Sequence, residues 1–365
     1  MKIFMFLFFI LFNLSLPNQA MEDENIVRGW AAKGAKQPLE LHTYKVGPIG
    51  SQEVEIAVDY CGLCHTDLSF INNEFGLSQY PLIPGHEVVG KIVAMGEQVP
   101  GLKIGQTVGV GCYADSCMYC HDCRAGNNNL CEKVALTVGH PGGFAEKMRS
   151  HWAWTIPLPE TLDISKAGPL MCGGATVFAP LLEHVKPIHH VGVVGIGGLG
   201  HLALQFAKAF GCHVTAFTSN LSKTEELKGF GAHRVISNKN SDDILEAAKS
   251  LDFLLVTVST SLDWETYLQT LKPNGRMHVV GGIPEPMEIP ALSLLPGKKC
   301  VSSSPLATPT QIFEMLEFAA RHGIAPQVEI FPMSKVNEGL KHLEEGKARY
   351  RVVLKSDFDF LKEEK

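Results

Sequence analysis

A glycine-rich segment at residues 191–211 constrains the fold of this chain more than any other stretch. It reads VGVVGIGGLGHLALQFAKAFG, an apolar run followed by Gly-x-Gly-x-x-Gly and then by apolar residues at helical spacing. A strand that leads into such glycines and then into a helix is typical of a dinucleotide-binding unit, with the pyrophosphate at the helix N-terminus. The predicted cofactor contacts of this turn are Gly195, Gly197, Gly198, Leu199 and Gly200.

The end of the next predicted strand, HVTAFTSNLSK at 213–223, indicates which dinucleotide binds. Sites that prefer NAD carry an acid there, which holds the ribose 2′-hydroxyl. This chain has Thr218, Ser219 and Asn220 instead, with Lys223 just beyond. Hydroxyls and a cation suit a 2′-phosphate, so the sequence predicts NADP(H) rather than NAD(H). In the alternative interpretation Ser219 and Asn220 only form a turn that caps the next helix.

Four further runs of β-type residues follow this unit, with helical stretches between several of them. Strands that alternate with helices predict a doubly wound parallel sheet, which is an α/β architecture. The four runs are Arg234–Ser237, Phe253–Val258, Met277–Gly282 and Lys299–Ser303.

Residues 117–131, CMYCHDCRAGNNNLC, contain four cysteines at C-x2-C-x2-C-x7-C spacing. Disulfides pair such close neighbours poorly, because the Cα distances and Cβ directions are constrained. A tetrahedral zinc centre takes four thiolates when turns bring them together, and Gly126 with the asparagine run supplies such a turn. The sequence therefore predicts a closed, structural zinc site. Its predicted ligands are Cys117, Cys120, Cys123 and Cys131.

A second, open metal site is predicted from three distant segments, YCGLCHTD at 60–67, PGHEVVG at 84–90 and PLMCG at 169–173. Cys64, His86 and Cys172 would supply three protein ligands and leave a fourth position for water or substrate. Glu87 either binds the metal or lies next to its ligands. Asp67 can fix the His86 tautomer by accepting a hydrogen bond from the imidazole. A single buried cysteine is usually a packing residue, so the prediction depends on the three motifs together. Packing is our interpretation for the other four cysteines, Cys61, Cys112, Cys212 and Cys300.

Composition limits the partners of the chain. Its 365 residues suit two domains, and 45% hydrophobic residues can bury a sizeable core. The net charge of −6 argues against binding to nucleic acid or to an anionic membrane. We therefore expect a small-molecule substrate, with no nucleic-acid and no membrane partner.

Residues 1–20, MKIFMFLFFILFNLSLPNQA, hold one lysine and then an apolar run, a pattern typical of a secretory signal peptide. The rival interpretation is an upstream start codon, with Met21 as the true start. Reduced thiolates and an NADP(H) site suit the cytosol. We therefore expect a cytoplasmic chain that begins at Met21, with export as the alternative.

The motifs at 60–90, 142–178, 191–201 and 331–358 together resemble the zinc-dependent medium-chain dehydrogenases. The resemblance is to the cinnamyl-alcohol-dehydrogenase-like branch and, within it, to bacterial NADPH-dependent broad-range aldehyde reductases. It covers Val27 to Phe358 and leaves residues 1–20 without a counterpart. It implies a β-rich GroES-like catalytic domain at 21–171 and 310–365, with a structural-zinc lobe at 112–132, split around a Rossmann domain at 172–309.

The resemblance also implies roles for single residues beyond the two zinc sites. Thr66 takes the place of the hydroxyl that relays a proton, and His65 stands near the cofactor pyrophosphate. Thr176 and Arg351 match positions that face the nicotinamide half of the cofactor. Many members carry a histidine five residues after the first zinc-ligand cysteine, as the outer end of the proton relay. Ser69 stands there in this chain, which leaves the proton-exit route open.

The activity that the resemblance implies is the reversible reduction of aldehydes to primary alcohols with NADPH, on two zinc ions per chain, and we expect a homodimer. An NAD-linked alcohol or polyol dehydrogenase is the first alternative, which an acid at position 219 would favour. A non-catalytic relative that binds zinc and cofactor is the second, which loss of a catalytic ligand would favour. Position 219 is a serine, and all three catalytic ligands are present.

Overall fold

The computed structural model describes residues 26–139 and 141–358, whose strands form two large sheets and two small ones. The predicted leader or alternative start at residues 1–20 lies outside the described residues. In chain order the strands are β1 (Ile26–Ala32), β2 (Leu39–Lys45), β3 (Glu53–Leu63), β4 (Val88–Met95), β5 (Thr107–Val110), β6 (Tyr113–Asp115), β7 (Ala135–Leu136), β8 (Lys147–His151), β9 (Ile156–Pro157), β10 (His190–Val194), β11 (His213–Thr218), β12 (Arg234–Ser237), β13 (Leu251–Val256), β14 (Leu271–Val279), β15 (Cys300–Ser303), β16 (Val328–Pro332) and β17 (Arg351–Lys355).

Most of the helices lie in the second half of the chain, between strands. The α-helices are α1 (His65–Ile71), α2 (His121–Arg124), α3 (Ile164–Ala167), α4 (Gly173–His184), α5 (Gly200–Ala209), α6 (Thr224–Gly229), α7 (Ser241–Leu245), α8 (Trp264–Gln269), α9 (Pro309–His322) and α10 (Val336–Glu344). Short 3-10 helices lie at Asn128–Leu130, Trp152–Trp154, Gly168–Met171, Leu221–Lys223, Ala291–Ser293, Leu295–Gly297 and Met333–Lys335.

Six strands form one large sheet in the order β12-β11-β10-β13-β14-β15, and every neighbouring pair is parallel. The pairing of β10 with β11 runs from His190↔His213 to Val194↔Phe217. Every residue of β10 after the first is buried, as expected for a central strand that helices cover on both faces. The predicted doubly wound parallel sheet is confirmed, and β10 leads directly into the glycine-rich turn.

Two strands of this sheet differ clearly from the prediction. β14 spans Leu271–Val279 instead of Met277–Gly282, and β13 ends at Val256 and not at Val258. The backbone N–H of Thr257 still donates to the Val194 carbonyl at 3.0 Å. The Thr257 hydroxyl, however, donates to the Gly195 carbonyl at 2.6 Å and so holds the glycine turn rather than extending the sheet. A hydroxyl that competes with the sheet ladder is not visible in a hydrophobic pattern.

Strands from both ends of the described chain form the other large sheet, in the order β16-β17-β3-β4-β5-β9, with β8 also paired to β3. β17 runs antiparallel to β3, and Val352 lies opposite Leu63. This pairing brings Arg351 next to the loop that begins at Cys64. The predicted domain boundaries after residues 171 and 309 stay predictions.

Apolar side chains fill a core on each face of the parallel sheet. Residues of α4, α5 and α9 pack on one face, and residues of α8 pack on the other. A separate core packs against the seven-stranded sheet, in which β16 and β17 are parallel and the other pairs are antiparallel. In residues 26–139 and 141–358, no helix is both long enough and apolar enough to cross a membrane.

Candidate metal centres and cofactor cleft

Three predicted ligands from distant parts of the chain meet in one buried cluster. Cys64 directly follows β3, His86 lies just before β4, and Cys172 directly precedes α4. One ligand atom from each of these residues and one from Glu87 lie within 4.8 Å of one another, and all four residues are buried. We call this set the buried cluster.

Asp67 orients the residues of the buried cluster by accepting three hydrogen bonds. Its carboxylate accepts from the backbone N–H of Cys64 at 3.0 Å, from the N–H of Gly85 at 2.9 Å and from His86 Nδ1 at 2.9 Å. The proton of His86 therefore sits on Nδ1, and the Nε2 lone pair is left for another partner. His86 Nε2 is buried and has no hydrogen-bond partner among the described residues. The hydrogen bond expected from Asp67 to His86 is present.

Glu87 is fully buried and forms an ion pair with Arg351, whose side chain is also buried. Arg351 donates in addition to the Leu63 carbonyl at 3.2 Å. A Cβ on Gly62 would lie 1.9 Å from Glu87 Oε2, so only glycine leaves room for this carboxylate. A buried carboxylate of this kind needs a cation, and Arg351 supplies one.

The donor atoms of the buried cluster fit a zinc ion. Two sulfurs, one imidazole nitrogen and a carboxylate are ligands that zinc accepts, and three of them leave an open position. Hydrogen bonding from the Cys172 thiol lowers the pKa of the Cys64 thiol well below its usual range, although burial raises it. The thiolate is the form that binds a metal. The unpartnered Nε2 of His86 and Oε2 of Glu87 are the orphaned buried atoms that such an ion would satisfy.

The residues beside the buried cluster lie at different depths. Thr66 Oγ1 is 3.7 Å from Cys64 Sγ, and Thr66 is half-buried. His65 is exposed, and Ser69 is half-buried about one turn further along the same helix, α1. Thr176 is buried and donates to the Cys172 carbonyl at 2.8 Å, which fixes the first turn of α4.

The interpretation of Cys112 as a simple packing residue misses its neighbours. Cys112 packs against Cys64 and Cys172, so a third thiol lies beside the two predicted sulfur ligands. Nothing in the local sequence around Cys112 indicates this, because the contact is made by the fold. The only signal in the sequence was that β6, which directly follows Cys112, lies close to the segment predicted to hold the structural zinc.

The four cysteines of residues 117–131 also come together. One sulfur from each lies within 4.8 Å of the others. Backbone N–H groups point at these sulfurs, with Cys120 N 3.3 Å from Cys117 Sγ, and Cys123 N 3.5 Å from Cys120 Sγ. All ten cysteines of the chain are free. We call this set the cysteine lobe; its four sulfurs suit a closed tetrahedral zinc site.

Asn129, which lies between the third and fourth cysteines of residues 117–131, reaches toward the buried cluster. Asn129 Nδ2 donates to the Leu306 carbonyl at 2.6 Å. Leu306 packs in turn against the group formed by Cys64, Cys112 and Cys172. This hydrogen bond therefore connects the segment that holds the four cysteines with a residue that packs against the buried cluster.

Six of the predicted cofactor residues line a cleft of about 300 Å³ at the end of the parallel sheet. The other predicted cofactor residues are not among its lining residues: His65, Thr176, Gly198, Leu199, Gly200 and Arg351. Gly195 has φ +86°, which permits the tight turn, and a Cβ on Gly200 would lie 2.0 Å from the Gly195 carbonyl oxygen. The cleft is lined by Gly195, Ile196, Gly197, Thr218, Ser219, Asn220, Lys223, Asn238, Thr257 and Val258.

Two predicted cofactor residues have structural contacts of their own. Asn220 accepts from the Ser222 backbone N–H at 3.0 Å, so it does cap the following turn, as the alternative interpretation held. Arg351 lies between the glycine turn and Glu87, because a Cβ on Gly198 would be 2.9 Å from its Nη1. Their contacts with a cofactor stay predictions.

Comparison with protein families matches both halves of the chain. The profile of the alcohol dehydrogenase GroES-like domain matches residues 50–160, and that of the zinc-binding dehydrogenase domain matches residues 198–321. The predicted fold class, a GroES-like domain with a Rossmann-type α/β domain, is confirmed.

Curated relatives match over nearly their full length. An aldehyde reductase of Synechocystis sp. is 48% identical over 331 residues, which cover 90% of this chain and 98% of that protein. A probable cinnamyl alcohol dehydrogenase of Pinus taeda is 36% identical over 346 residues, which cover 92% and 97%.

Solved structures agree with these relatives. A cinnamyl alcohol dehydrogenase of Sorghum bicolor superposes with a TM-score of 0.86 at 38% identity, over 90% of this chain and 97% of that one. A CAD of Helicobacter pylori, complexed with NADP(H), superposes with a TM-score of 0.82 at 28% identity, over 90% and 98%.

Proposed function

This chain belongs to the zinc-dependent medium-chain dehydrogenases, and we propose that it reduces aldehydes to primary alcohols with NADPH, in a reversible reaction. It is an oxidoreductase of the alcohol dehydrogenase and aldehyde reductase type. The observation that carries the proposal is the buried cluster, which combines two sulfurs with an imidazole nitrogen that has no hydrogen-bond partner among the described residues. The same chain has a cofactor cleft whose lining residues include no Asp or Glu.

Cys64, His86 and Cys172 are the proposed ligands of a catalytic zinc, with Glu87 beside them. A zinc ion held there would act as a Lewis acid on a carbonyl oxygen. Asp67 keeps the His86 lone pair directed at the cluster. Burial raises the pKa of Glu87, and the ion pair with Arg351 opposes that effect. The protein thus orients the donors in advance, which reduces the cost of reorganisation during the reaction.

NADP(H) is the proposed cofactor, in the cleft that contains Ser219 and Lys223. Bound there, it would supply the hydride. The glycine turn and the N-terminus of α5 would hold its pyrophosphate. Ser219 and Lys223 offer a hydroxyl and a cation for the 2′-phosphate. His65, Thr176 and the remaining predicted contacts belong to this proposal.

Thr66 is the proposed proton donor to the product oxygen, because its hydroxyl lies 3.7 Å from Cys64 Sγ and it is only half-buried. Ser69 has no imidazole to carry that proton onward. The proton that Thr66 gives up must therefore be replaced from solvent without an imidazole at position 69.

The cysteine lobe is the proposed structural zinc site. Its four sulfurs leave no open position, and its backbone N–H groups stabilise thiolate charge. A metal there contributes folding free energy and no chemistry.

A homodimer is the proposed assembly. β15 forms one edge of the six-stranded sheet, and no described strand pairs with its outer side. Leu292 and Leu295, in the segment that leads into β15, are 77% and 70% exposed. Free strand edges next to exposed apolar side chains are usually covered, and a second copy would cover both.

A cytoplasmic location is also part of the proposal. It is supported by the ten free cysteines, which suit a reducing compartment.

The test of the function is a rate measurement on protein expressed from Met21. Oxidation of NADPH and of NADH is followed against a panel of aliphatic and aromatic aldehydes, with and without a strong chelator. We expect turnover that prefers NADPH and is lost with the chelator. A preference for NADH would favour the NAD-linked alternative. No turnover with either cofactor, in protein shown to hold two zinc ions, would favour the non-catalytic alternative.

A further inference from the structure

Glu226 places a carboxylate close to the end of the cofactor cleft that holds Lys223. It lies three residues after Lys223, in the first turn of α6. Residues three apart on a helix face each other, and a lysine and a glutamate at this spacing ordinarily form an ion pair. Such a pair would compete with a 2′-phosphate for the lysine ammonium, and the carboxylate would repel the phosphate.

No direct hydrogen bond or ion pair joins Lys223 to Glu226, although the charge of Lys223 helps to lower the pKa of Glu226. Each oxygen of Glu226 has a closer donor instead. Arg349 Nη2 donates to Oε1 at 2.6 Å, and the Tyr350 hydroxyl donates to Oε2 at 2.8 Å. Both donors come from the segment that immediately precedes β17. These hydrogen bonds lower the pKa of Glu226 although burial raises it, so the carboxylate stays charged and engaged.

Lys223 rests instead on the ring of Tyr350. Its ammonium nitrogen lies 5.2 Å from the ring centroid, a distance at which a cation is attracted to an aromatic face. Within the part of the chain that the structure describes, Lys223 has no carboxylate partner. The ammonium is thus held near Ser219 without being neutralised.

The Tyr350 ring is itself fixed by two aromatic neighbours. His201 stacks on it at 4.9 Å with an interplanar angle of 15°, and Phe230 meets it edge-on at 5.2 Å. His201 Nδ1 donates to the Gly197 carbonyl at 3.0 Å, and Nε2 accepts from the Gln327 N–H at 3.3 Å. Burial lowers the pKa of His201 to about 4, so the imidazole stays neutral at neutral pH and adds no competing charge.

We propose that Tyr350 and Arg349 are specificity-determining positioning residues for the cofactor. By occupying Glu226 they keep its carboxylate away from Lys223 and leave the ammonium for the ribose 2′-phosphate. The inference rests on the proposed NADP(H) preference. The Arg349 side chain is 55% exposed, so its pair with Glu226 contributes little to stability, and its importance lies in occupying the carboxylate.

The experiment uses the double variant Tyr350→Phe/Arg349→Ala, which keeps the stacked ring and frees both oxygens of Glu226. Binding of adenosine 2′,5′-bisphosphate and of adenosine 5′-monophosphate is measured by calorimetry, so that no turnover is needed. We expect affinity for the bisphosphate to fall about tenfold, the size of a lost charge-assisted contact, and affinity for the monophosphate to change less than about twofold. The KM for NADPH rises in parallel, and kcat and the KM for NADH stay unchanged.

A third substitution separates this role from a structural one. Adding Glu226→Gln to the double variant removes the competing charge, and we expect bisphosphate affinity to return to within about twofold of the unsubstituted protein. Failure of this rescue would overturn the inference, as would a double variant that binds both nucleotides normally. A purely structural effect would weaken both nucleotides and lower kcat.

Arg234→Ala is the matched control, because it breaks another exposed arginine–glutamate pair, with Glu246 at 2.8 Å. Its nucleotide affinities should not change. If the unsubstituted protein binds the two nucleotides equally well, the NADP(H) preference itself is wrong. If it discriminates between them and the double variant discriminates equally, only the role of Tyr350 and Arg349 is wrong.

Discussion

The two metal-binding regions of this molecule are built in opposite ways. The cysteine lobe takes all its ligands from fifteen consecutive residues, 117–131, and its Cys117 and Cys120 are only half-buried. The buried cluster takes its ligands from three segments that meet only in the folded chain, and every ligand is buried. Proximity in sequence suffices for a site that only holds a fold together, whereas the site proposed for chemistry needs an enclosed, water-poor location.

The two regions also differ in how their negative charge is stabilised. Backbone N–H groups of the cysteine lobe point at its sulfurs. The buried cluster relies on side chains, with Asp67 behind His86 and Arg351 behind Glu87. Backbone donors come with the turn itself, but side-chain partners must be delivered by other elements. Damage to the buried cluster should therefore affect reactivity, and damage to the lobe should affect folding.

The largest expected effect comes from Cys64→Ser, in the buried cluster. We expect kcat/KM for an aldehyde to fall on the order of 10³-fold or more, because a Lewis acid contributes several kcal/mol to such a barrier. Zinc content should drop by about one ion per chain, with cofactor binding retained. Steady-state kinetics and metal analysis measure both. Cys212→Ser, a buried thiol outside both metal regions, is the control. Near-normal turnover of Cys64→Ser would contradict a catalytic role for the buried cluster and so the difference proposed between the two regions.

Cys120→Ser, in the cysteine lobe, should have the next largest effect and a different kind of effect. We expect the melting temperature to fall by roughly 5–10 °C, which corresponds to a few kcal/mol for a domain of this size. Loss of kcat at a temperature where the protein is folded should be smaller than in Cys64→Ser. Calorimetry with parallel kinetics tests this, and an unaltered melting profile would contradict a structural zinc there.

The smallest expected effect concerns the connection between the two regions. Asn129→Ala removes the hydrogen bond to the Leu306 carbonyl, and the KM for an aldehyde should rise by about two- to tenfold, as for one lost neutral hydrogen bond. We expect kcat to change little. Asn127→Ala is the matched control, because Asn127 is exposed and its side chain has no partner among the described residues. Equal KM values in the two variants would show that the regions act independently.

Local patterns carried most of the sequence prediction. The glycine turn after β10 and the cysteine spacing each specify a local geometry, so both could be predicted from short stretches. Cys64, His86 and Cys172 were combined from three separate motifs, and the family resemblance implied the same set. The fold class is confirmed, and the roles of the site residues stay predictions that the geometry now allows to be tested.

What the sequence did not indicate depends on contacts between distant residues. Cys112 stands beside two predicted ligands because β6 passes the buried cluster, and no spacing rule reports that. Glu226 looks like an ordinary first-turn acid of a helix until Arg349 and Tyr350 are placed on it. The early end of β13 depends on a hydroxyl of Thr257 that bonds across to Gly195. All three features depend on contacts with residues that are distant in the sequence.

The pairing of β17 with β3 has a consequence for the order in which the molecule can mature during synthesis. Glu87 and Arg351 are 264 positions apart, so the carboxylate has no cation until almost the whole chain has left the ribosome. The cysteine lobe is complete once residue 131 has emerged. A nascent chain can therefore complete the lobe before Cys172 of the buried cluster emerges, and a truncation before β17 would leave Glu87 without its cation beside Cys64 and Cys172.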